Sequence, residues 1–260
     1  MNRNQPRIDI LTAVYRNPEV LAAVESVRSQ TYPNTRHCLI DGSALPTFSE
    51  EISKRIPADV THMVEPDGGI YHALNKGLRI AAGDIVGLLH SDDVFADDYT
   101  LSQVAAVFSE KRVDVVYGDL EYRSKGRVIR HWQAGGIRKA KIAAGWMPPH
   151  PTVFMRTEVV NRVGLYDTRF RIAGDYEYLL RLMLDHELKI AYLPRVITKM
   201  KIGGASNGSL KRLLRKSIED VWAMRMHGLN PYIALPLKVL SKLPQFLGVH
   251  HPPSVLLRLR

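Results

Sequence analysis

In the first half of the chain, short continuous apolar runs alternate with stretches whose apolar residues recur every three or four positions. Ile8 to Tyr15 (IDILTAVY) is apolar and rich in β-branched side chains, as a strand buried on both faces should be. Leu21, Val24 and Val27 then keep helical spacing, with Pro18 near the first turn, where its missing N–H goes unused. His37 to Ile40 reads as a second strand, Glu50 to Ile56 as a short helix and Thr61 to Val64 as a third strand. Ile70, Leu74 and Leu78 line one face of a helix that Gly83 is expected to end as a C-terminal cap. Ile85 to Leu89 is a fourth strand, stopping at His90-Ser91-Asp92-Asp93. Leu101, Val104 and Phe108 mark another helix, and Val113 to Tyr117 another strand. This alternation predicts an α/β fold: a single α/β/α domain with a mostly parallel central sheet.

The second half is less regular. Leu120 to Arg123 and Val128 to Trp132 read as a hairpin across Ser124-Lys125-Gly126-Arg127. Thr152 to Arg156 is a strand, with Thr157 capping a short helix that ends at Gly164. Asp175 opens a helix through Glu187, with Leu179, Leu182 and Met183 toward the core. Strands Lys189 to Leu193 and Val196 to Ile202 follow. Leu210, Leu213, Leu214, Ile218, Val221 and Trp222 give a long amphipathic helix ended by Gly228. The division expected is residues 1–206 as the domain carrying the chemistry and 207–260 as a basic, amphipathic helical extension.

In an open parallel sheet, ligands bind beyond the carboxyl ends of the strands. The residues there are Thr12 to Arg16, Asp41 and Ser43, Glu65 to Gly69, Ser91 to Asp93, and Gly118 with Asp119. Asp and Gly serve any tight turn, but their repetition at one edge points to a site. Asp92 and Asp93 repel one another, a cost that bound Mg²⁺ or Mn²⁺ removes. The competing role is an N-cap for a helix beginning near Val94. No GxxxxGK[ST], GxGxxG, HExxH or GxSxG occurs, which removes the fingerprints of P-loop, dinucleotide, zinc-protease and hydrolase sites.

The 260 residues are 45% apolar and 24% charged, a globular composition, and Cys38 alone excludes a disulfide framework. The net charge of +10 is uneven. Residues 123–141 hold seven basic residues and no acid, and 209–260 hold nine against Glu219 and Asp220. Two basic regions on a mildly acidic body suggest an anionic partner. The start lacks a signal-peptide apolar stretch, so a cytoplasmic location is expected.

LTAVYRN, LIDGS, EPDGGIYHALNKGLRIAAGDIVGLLHSDD, VVYGD, HPTVFMR and GLYDTRFRIAGDYEYLLRL together resemble a family-2 bacterial glycosyltransferase of the GT-A fold, of the kind that builds surface polysaccharide and O-antigen. The resemblance spans roughly residues 7–206. It implies that Asp41 contacts the nucleotide base, with Thr12, Ala13, Tyr15 and Arg16 around it, and that Asp67, Asn75 and Lys76 help enclose the nucleotide. Asp92 and Asp93 would hold ribose and, through Mg²⁺ or Mn²⁺, the diphosphate. Asp175 would be the general base, and the turn 203–206 would close over the donor. Where many relatives have Asp-x-Asp-Asp, this chain has His90 in the first place, which leaves open which aspartate meets the metal. The helix-opening acids are split as Asp175-Tyr176-Glu177, and Glu177 is expected to point elsewhere.

The reaction so implied is inverting transfer from a nucleotide-sugar, with a UDP-sugar favoured, to a glycan or polyprenyl-diphosphate-linked acceptor. His150 is a candidate contact to acceptor or diphosphate, and Trp132, Trp146 and Tyr176 are candidates to stack on sugars. Leu235, Leu237, Val239, Leu240, Leu243, Phe246 and Leu247, interleaved with Lys238 and Lys242, suit an interfacial helix on the cytoplasmic face of an anionic inner membrane. A non-catalytic nucleotide-sugar-binding module and a sugar-phosphate nucleotidyltransferase are the rival readings. No nucleic-acid partner is expected, because the basic residues lack a reading helix or an aromatic platform.

Overall fold

The computed structural model describes residues 5–43, 45–201 and 210–241. The strands are β1 (Ile8–Val14), β2 (Thr35–Asp41), β3 (Thr61–Val64), β4 (Ile85–Leu88), β5 (Asp93–Phe95), β6 (Val115–Ser124), β7 (Arg127–Trp132), β8 (Phe154–Arg156) and β9 (Ile190–Lys201). The helices are α1 (Val20–Arg28), α2 (Pro46–Arg55), α3 (Ile70–Ile80), α4 (Thr100–Lys111), α5 (Lys139–Ala143), α6 (Thr157–Val163), α7 (Gly174–Leu184), α8 (Leu210–Met226) and α9 (Pro231–Leu240), with a 3-10 turn at His150–Thr152.

One sheet runs β3-β2-β1-β4-β8-β6-β9-β5, with β7 paired to β6. Strands β1 to β4, β6 and β9 share one direction, while the short β5, β7 and β8 oppose them. The sheet is therefore mostly parallel, as the alternation predicts. Period-2 side chains divide β1 between two cores. Ile8 and Ile10 pack with Ala23, Val27, Leu101 and Phe108, while Leu11 packs with Leu74 and Leu78 of α3. Each large aliphatic chain so buried contributes about 1.5–3 kcal/mol.

Several local expectations change. Helix α3 ends at Ile80 with Ala81 extended, so Gly83 is not its cap. Gly83 is instead pressed on Asp9, whose Oδ2 accepts from the Ala82 and Gly83 backbone N–H groups. Asp93 lies in strand β5, paired with Met200 of β9, so it caps no helix; the next helix starts at Thr100. Thr157 is the first residue of α6 and donates its hydroxyl to Gly83 O rather than capping. The two strands expected on either side of Gly118 are one continuous β6, and those on either side of Pro194 one continuous β9. Helix α2 begins at Pro46, and α7 stops at Leu184.

The described part of the extension is built into the same core as the sheet. Ala223 and Met224 of α8 and Ala234 of α9 are fully buried in the cluster that holds Leu11, Tyr176 and Leu180. Helix α9 lies against Gly145, whose φ of +80° and absent Cβ admit the Ala234 carbonyl, which would stand 2.7 Å from a side chain there. Lys238 corrects the expectation for the tail. It faces inward, 2.9 Å from Asp220 Oδ1 and 3.1 Å from the Tyr176 ring centroid. Leu243, Phe246, Leu247, Lys242 and the turn 203–206 lie outside the described residues.

Candidate active site

A cavity of about 610 Å³ opens beyond the carboxyl ends of the strands. His90 and His150 line its sheet side, Asp175 and Tyr176 its floor, Trp132 and Arg130 of β7 one wall, and Arg212, Lys216 and Lys238 of α8 and α9 another. Trp146 also lines it. The two basic regions of the sequence thus meet across one space.

Asp175 is held by the turn that starts α7. Its Oδ1 accepts from the Tyr176 backbone N–H at 2.8 Å, with the Tyr71 hydroxyl at 3.5 Å. Tyr71 donates mainly to Ile172 O, at 2.8 Å, and its ring occupies the place a Cβ on Gly174 would take. Glu219 of α8 fixes the same turn from below, its Oε2 accepting from the backbone N–H groups of Arg171, Ile172 and Ala173 at 2.8–3.1 Å. Burial pulls the Glu219 pKa up, but those three donors and Arg215 outweigh it and leave it lowered. Glu177 points away as expected, bonded to His227 at 3.0 Å and Arg181 at 2.8 Å.

Both histidines beside Asp175 are held neutral. Burial lowers the His150 pKa to about 4 against the opposing pull of Asp175. Burial likewise lowers that of His90, against Asp92 and Asp175. The rings lie 5.9 Å apart, and His150 Nε2 shares a 2.8 Å hydrogen bond with the Tyr166 hydroxyl. Neutral imidazoles can accept or donate to sugar or phosphate oxygens without competing with Asp175 for a proton.

The residues expected to bind the nucleotide lie at the same sheet edge but outside this cavity. Tyr15 is exposed, and Arg16, at φ +50°, stacks its guanidinium 5.3 Å from the Tyr15 ring centroid. Ala13 is partly buried against the core. The Asp67 carboxylate rests on Gly42, where a Cβ would stand 1.6 Å from Oδ2, and Lys76 ties Glu65 and Pro66 carbonyls beneath it. Other side chains are engaged within the protein. Thr12 is fully buried on His37 Nε2 at 2.9 Å. Asp41 accepts from Ser43 and Ser49. Asn75 clamps both backbone groups of Tyr166.

Asp92 is half-buried and Asp93 fully buried. Among the described residues neither Asp93 oxygen has a well-formed hydrogen bond, the nearest donor being the Lys201 backbone N–H. Burial, then the charge of Asp92, push the Asp93 pKa well above the carboxylate range. A buried carboxylate so poorly supplied with donors is a poor structural element and a good hard-cation ligand, so this pair fits Mg²⁺ or Mn²⁺. Among the described residues no three His, Cys, Asp or Glu side chains converge on one point.

Sequence reasoning missed Tyr71, Arg171 and Glu219. Tyr71 shares helical spacing with Leu74 and Leu78 and so reads as core. Arg171 reaches back to Gly68 O at 2.7 Å, and Glu219 acts across nearly fifty residues of chain.

The fold is an α/β fold of GT-A architecture. Residues 9–170 match the family model for glycosyl transferase family 2, and the chain belongs to that family. An uncharacterized glycosyltransferase of Mycobacterium tuberculosis is 32% identical over 183 residues, covering 69% of this chain and 70% of the relative. A PGL/p-HBAD biosynthesis glycosyltransferase of Mycobacterium bovis is 27% identical over 195 residues, covering 72% and 73%. The mannosyltransferase PcManGT of Pyrobaculum calidifontis, solved with GDP-Man and Mn²⁺, aligns over 94% of this chain and 74% of its own with a TM-score of 0.64 at 16% identity. S. aureus TarS (1–349) with UDP-GlcNAc aligns over 89% and 70% with a TM-score of 0.61 at 15% identity.

Proposed function

We propose that this glycosyltransferase moves a hexose-type sugar, with inversion, from a UDP-sugar to a glycan or polyprenyl-diphosphate-linked acceptor during cell-surface polysaccharide or lipopolysaccharide synthesis. The observation that carries the reading is the Asp175 carboxylate on the cavity floor while Glu177 is committed to His227 and Arg181. The acceptor hydroxyl attacks the anomeric carbon as the bond to the diphosphate oxygen breaks, and Asp175 takes the hydroxyl proton. His90 and His150 hold oxygens of the reacting groups as neutral partners. Tyr15, Arg16 and Asp67 enclose the nucleotide with Thr12, Ala13, Asp41, Asn75 and Lys76 behind them. Asp93 and Asp92 would hold Mg²⁺ or Mn²⁺, which when bound neutralises charge on the departing diphosphate. The named complexes with UDP-GlcNAc and with GDP-Man and Mn²⁺ support a nucleotide-sugar donor and a divalent cation. The PGL/p-HBAD biosynthesis relative supports sugar transfer in a biosynthetic assembly, and the acceptor read from the sequence is a glycan or a polyprenyl-diphosphate-linked one. Such an acceptor goes with peripheral contact at the cytoplasmic face of the membrane. Among the described residues no helix is long and apolar enough to cross it.

The test is thermal shift with UDP-, GDP- and dTDP-sugars, first with Mn²⁺ and then with EDTA. A donor at one hundred times its Kd should stabilise by about 2.7 kcal/mol, and EDTA should remove that gain. Folded protein that responds to no donor of the panel overturns the UDP-sugar reading and leaves a degenerate binding module or a donor outside the panel.

A further inference from the structure

Helix α9 wears its polarity inside out. Its one charged residue, Lys238, is turned inward onto Asp220 and Tyr176, and Ala234 beside it is fully buried. The outward residues Tyr232, Ile233, Pro236, Leu237, Val239 and Leu240 are all exposed. A helix facing water normally arranges these groups the other way.

Helix α8 packs against α9 and has an exposed side of similar composition. Lys211, Leu214, Ile218 and Arg225 are spaced to share one side of it, and all four are exposed. The acids of α8, Glu219 and Asp220, are both buried and engaged inward. Among the described residues, the exposed surface of α8 and α9 therefore carries apolar and positive groups and no carboxylate. Exposed apolar side chains gathered on two neighbouring helices without a carboxylate among them mark an interaction site.

We propose that this face docks the chain on an anionic lipid bilayer, with the outer side of α9 in the headgroup region and Lys211 and Arg225 against lipid phosphates. Apolar area flanked by cations is the composition that such interfacial helices use. A second copy of the chain fits less well, because a two-fold pairing would bring two patches of the same positive sign together. The same two helices supply Arg212, Leu213, Lys216 and Lys238 to the cavity, so docking brings the cavity wall to the membrane surface. The proposal sharpens the membrane contact of the proposed function, and its test involves no sugar transfer, so the two fail separately.

The experiment is co-sedimentation of the full chain with phosphatidylcholine vesicles, with and without phosphatidylglycerol, at low and raised salt. The wild type should sediment with the anionic vesicles and be released by salt. The triple variant Ile233→Glu, Leu237→Glu, Leu240→Glu should lose at least about tenfold in partition while keeping its melting temperature. Lys211→Glu with Arg225→Glu, which leaves α9 untouched, should also weaken binding to the anionic vesicles. The proposal is overturned if the wild type stays in the supernatant, if it binds neutral vesicles equally well, or if both variants sediment like the wild type. A lipid-free dimer that the triple variant dissociates would assign the face to a second copy and overturn it equally.

Discussion

At the residue scale the site rests on a division of labour among carboxylates that neighbours in sequence share but neighbours in space do not. Asp175 and Glu177 sit two residues apart, yet only Asp175 lines the cavity. Replacing Asp175 with Asn should lower transfer by roughly 10²–10⁴-fold while leaving the donor-induced thermal shift intact, measured on one preparation. Equal transfer by the variant would assign the base elsewhere. The buried histidines give a second expectation. Burial lowers the His37 pKa from 6.5 to about 4, as it does that of His150. Between those values the unfolded chain binds a proton at each that the folded chain does not. Stability therefore rises with pH across about 4 to 6.5, is complete above it, and is lost as pH falls. The effect is at most about 3 kcal/mol per histidine. His37→Asn should flatten the melting temperature against pH between pH 4 and 7, and an unchanged slope would show that His37 titrates normally.

At the element scale, the start of α7 is aligned by α8. The Glu219 carboxylate accepts from three successive backbone N–H groups, Arg171, Ile172 and Ala173, of the turn that leads into α7. Glu219→Ala leaves all three without this acceptor, the Ala173 N–H in a buried place, at a cost of about 1–3 kcal/mol. The turn carrying Asp175 then loses its anchor. A fall in kcat of about tenfold to 100-fold is expected, with little change in donor KM. Glu219→Gln keeps an acceptor oxygen and should recover part of the loss. A melting-temperature drop without any change in kcat would make Glu219 a stabilising residue only.

On the scale of the whole molecule, the C-terminal helices are a wall of the cavity rather than an attachment to it. Deleting residues 231–260 removes Lys238 from Asp220, uncovers Gly145 and opens one side of the cavity. The truncated chain should melt several degrees lower and lose transfer even with a soluble acceptor, followed by differential scanning fluorimetry and product assay. Full activity in the truncated chain would show that α9 contributes nothing to the cavity. The two basic regions, far apart in sequence, meet for the same reason: β7 is laid on β6, and α8 and α9 close over α7 opposite it.

The sequence by itself determined the alternation of strands and helices, the parallel sheet, and the row of polar residues at its carboxyl edge. Apolar period and turn chemistry are local properties, carried by windows of ten or so residues such as Ile8 to Val14. It also carried the family, through motifs whose order survives in the chain. Only the tertiary structure decided which side chains are free to act. Thr12, Asp41 and Asn75 stand at the expected positions, yet each is bonded to a partner from another segment. Lys238 belongs by periodicity to a solvent face and is turned inward by Asp220. The anchoring of Asp175 by Tyr71 and Glu219 lies across 104 and 44 residues of chain, respectively, and no local pattern encodes such a contact. Burial and pairing are set by what packs from elsewhere, and that is fixed only when the chain closes on itself.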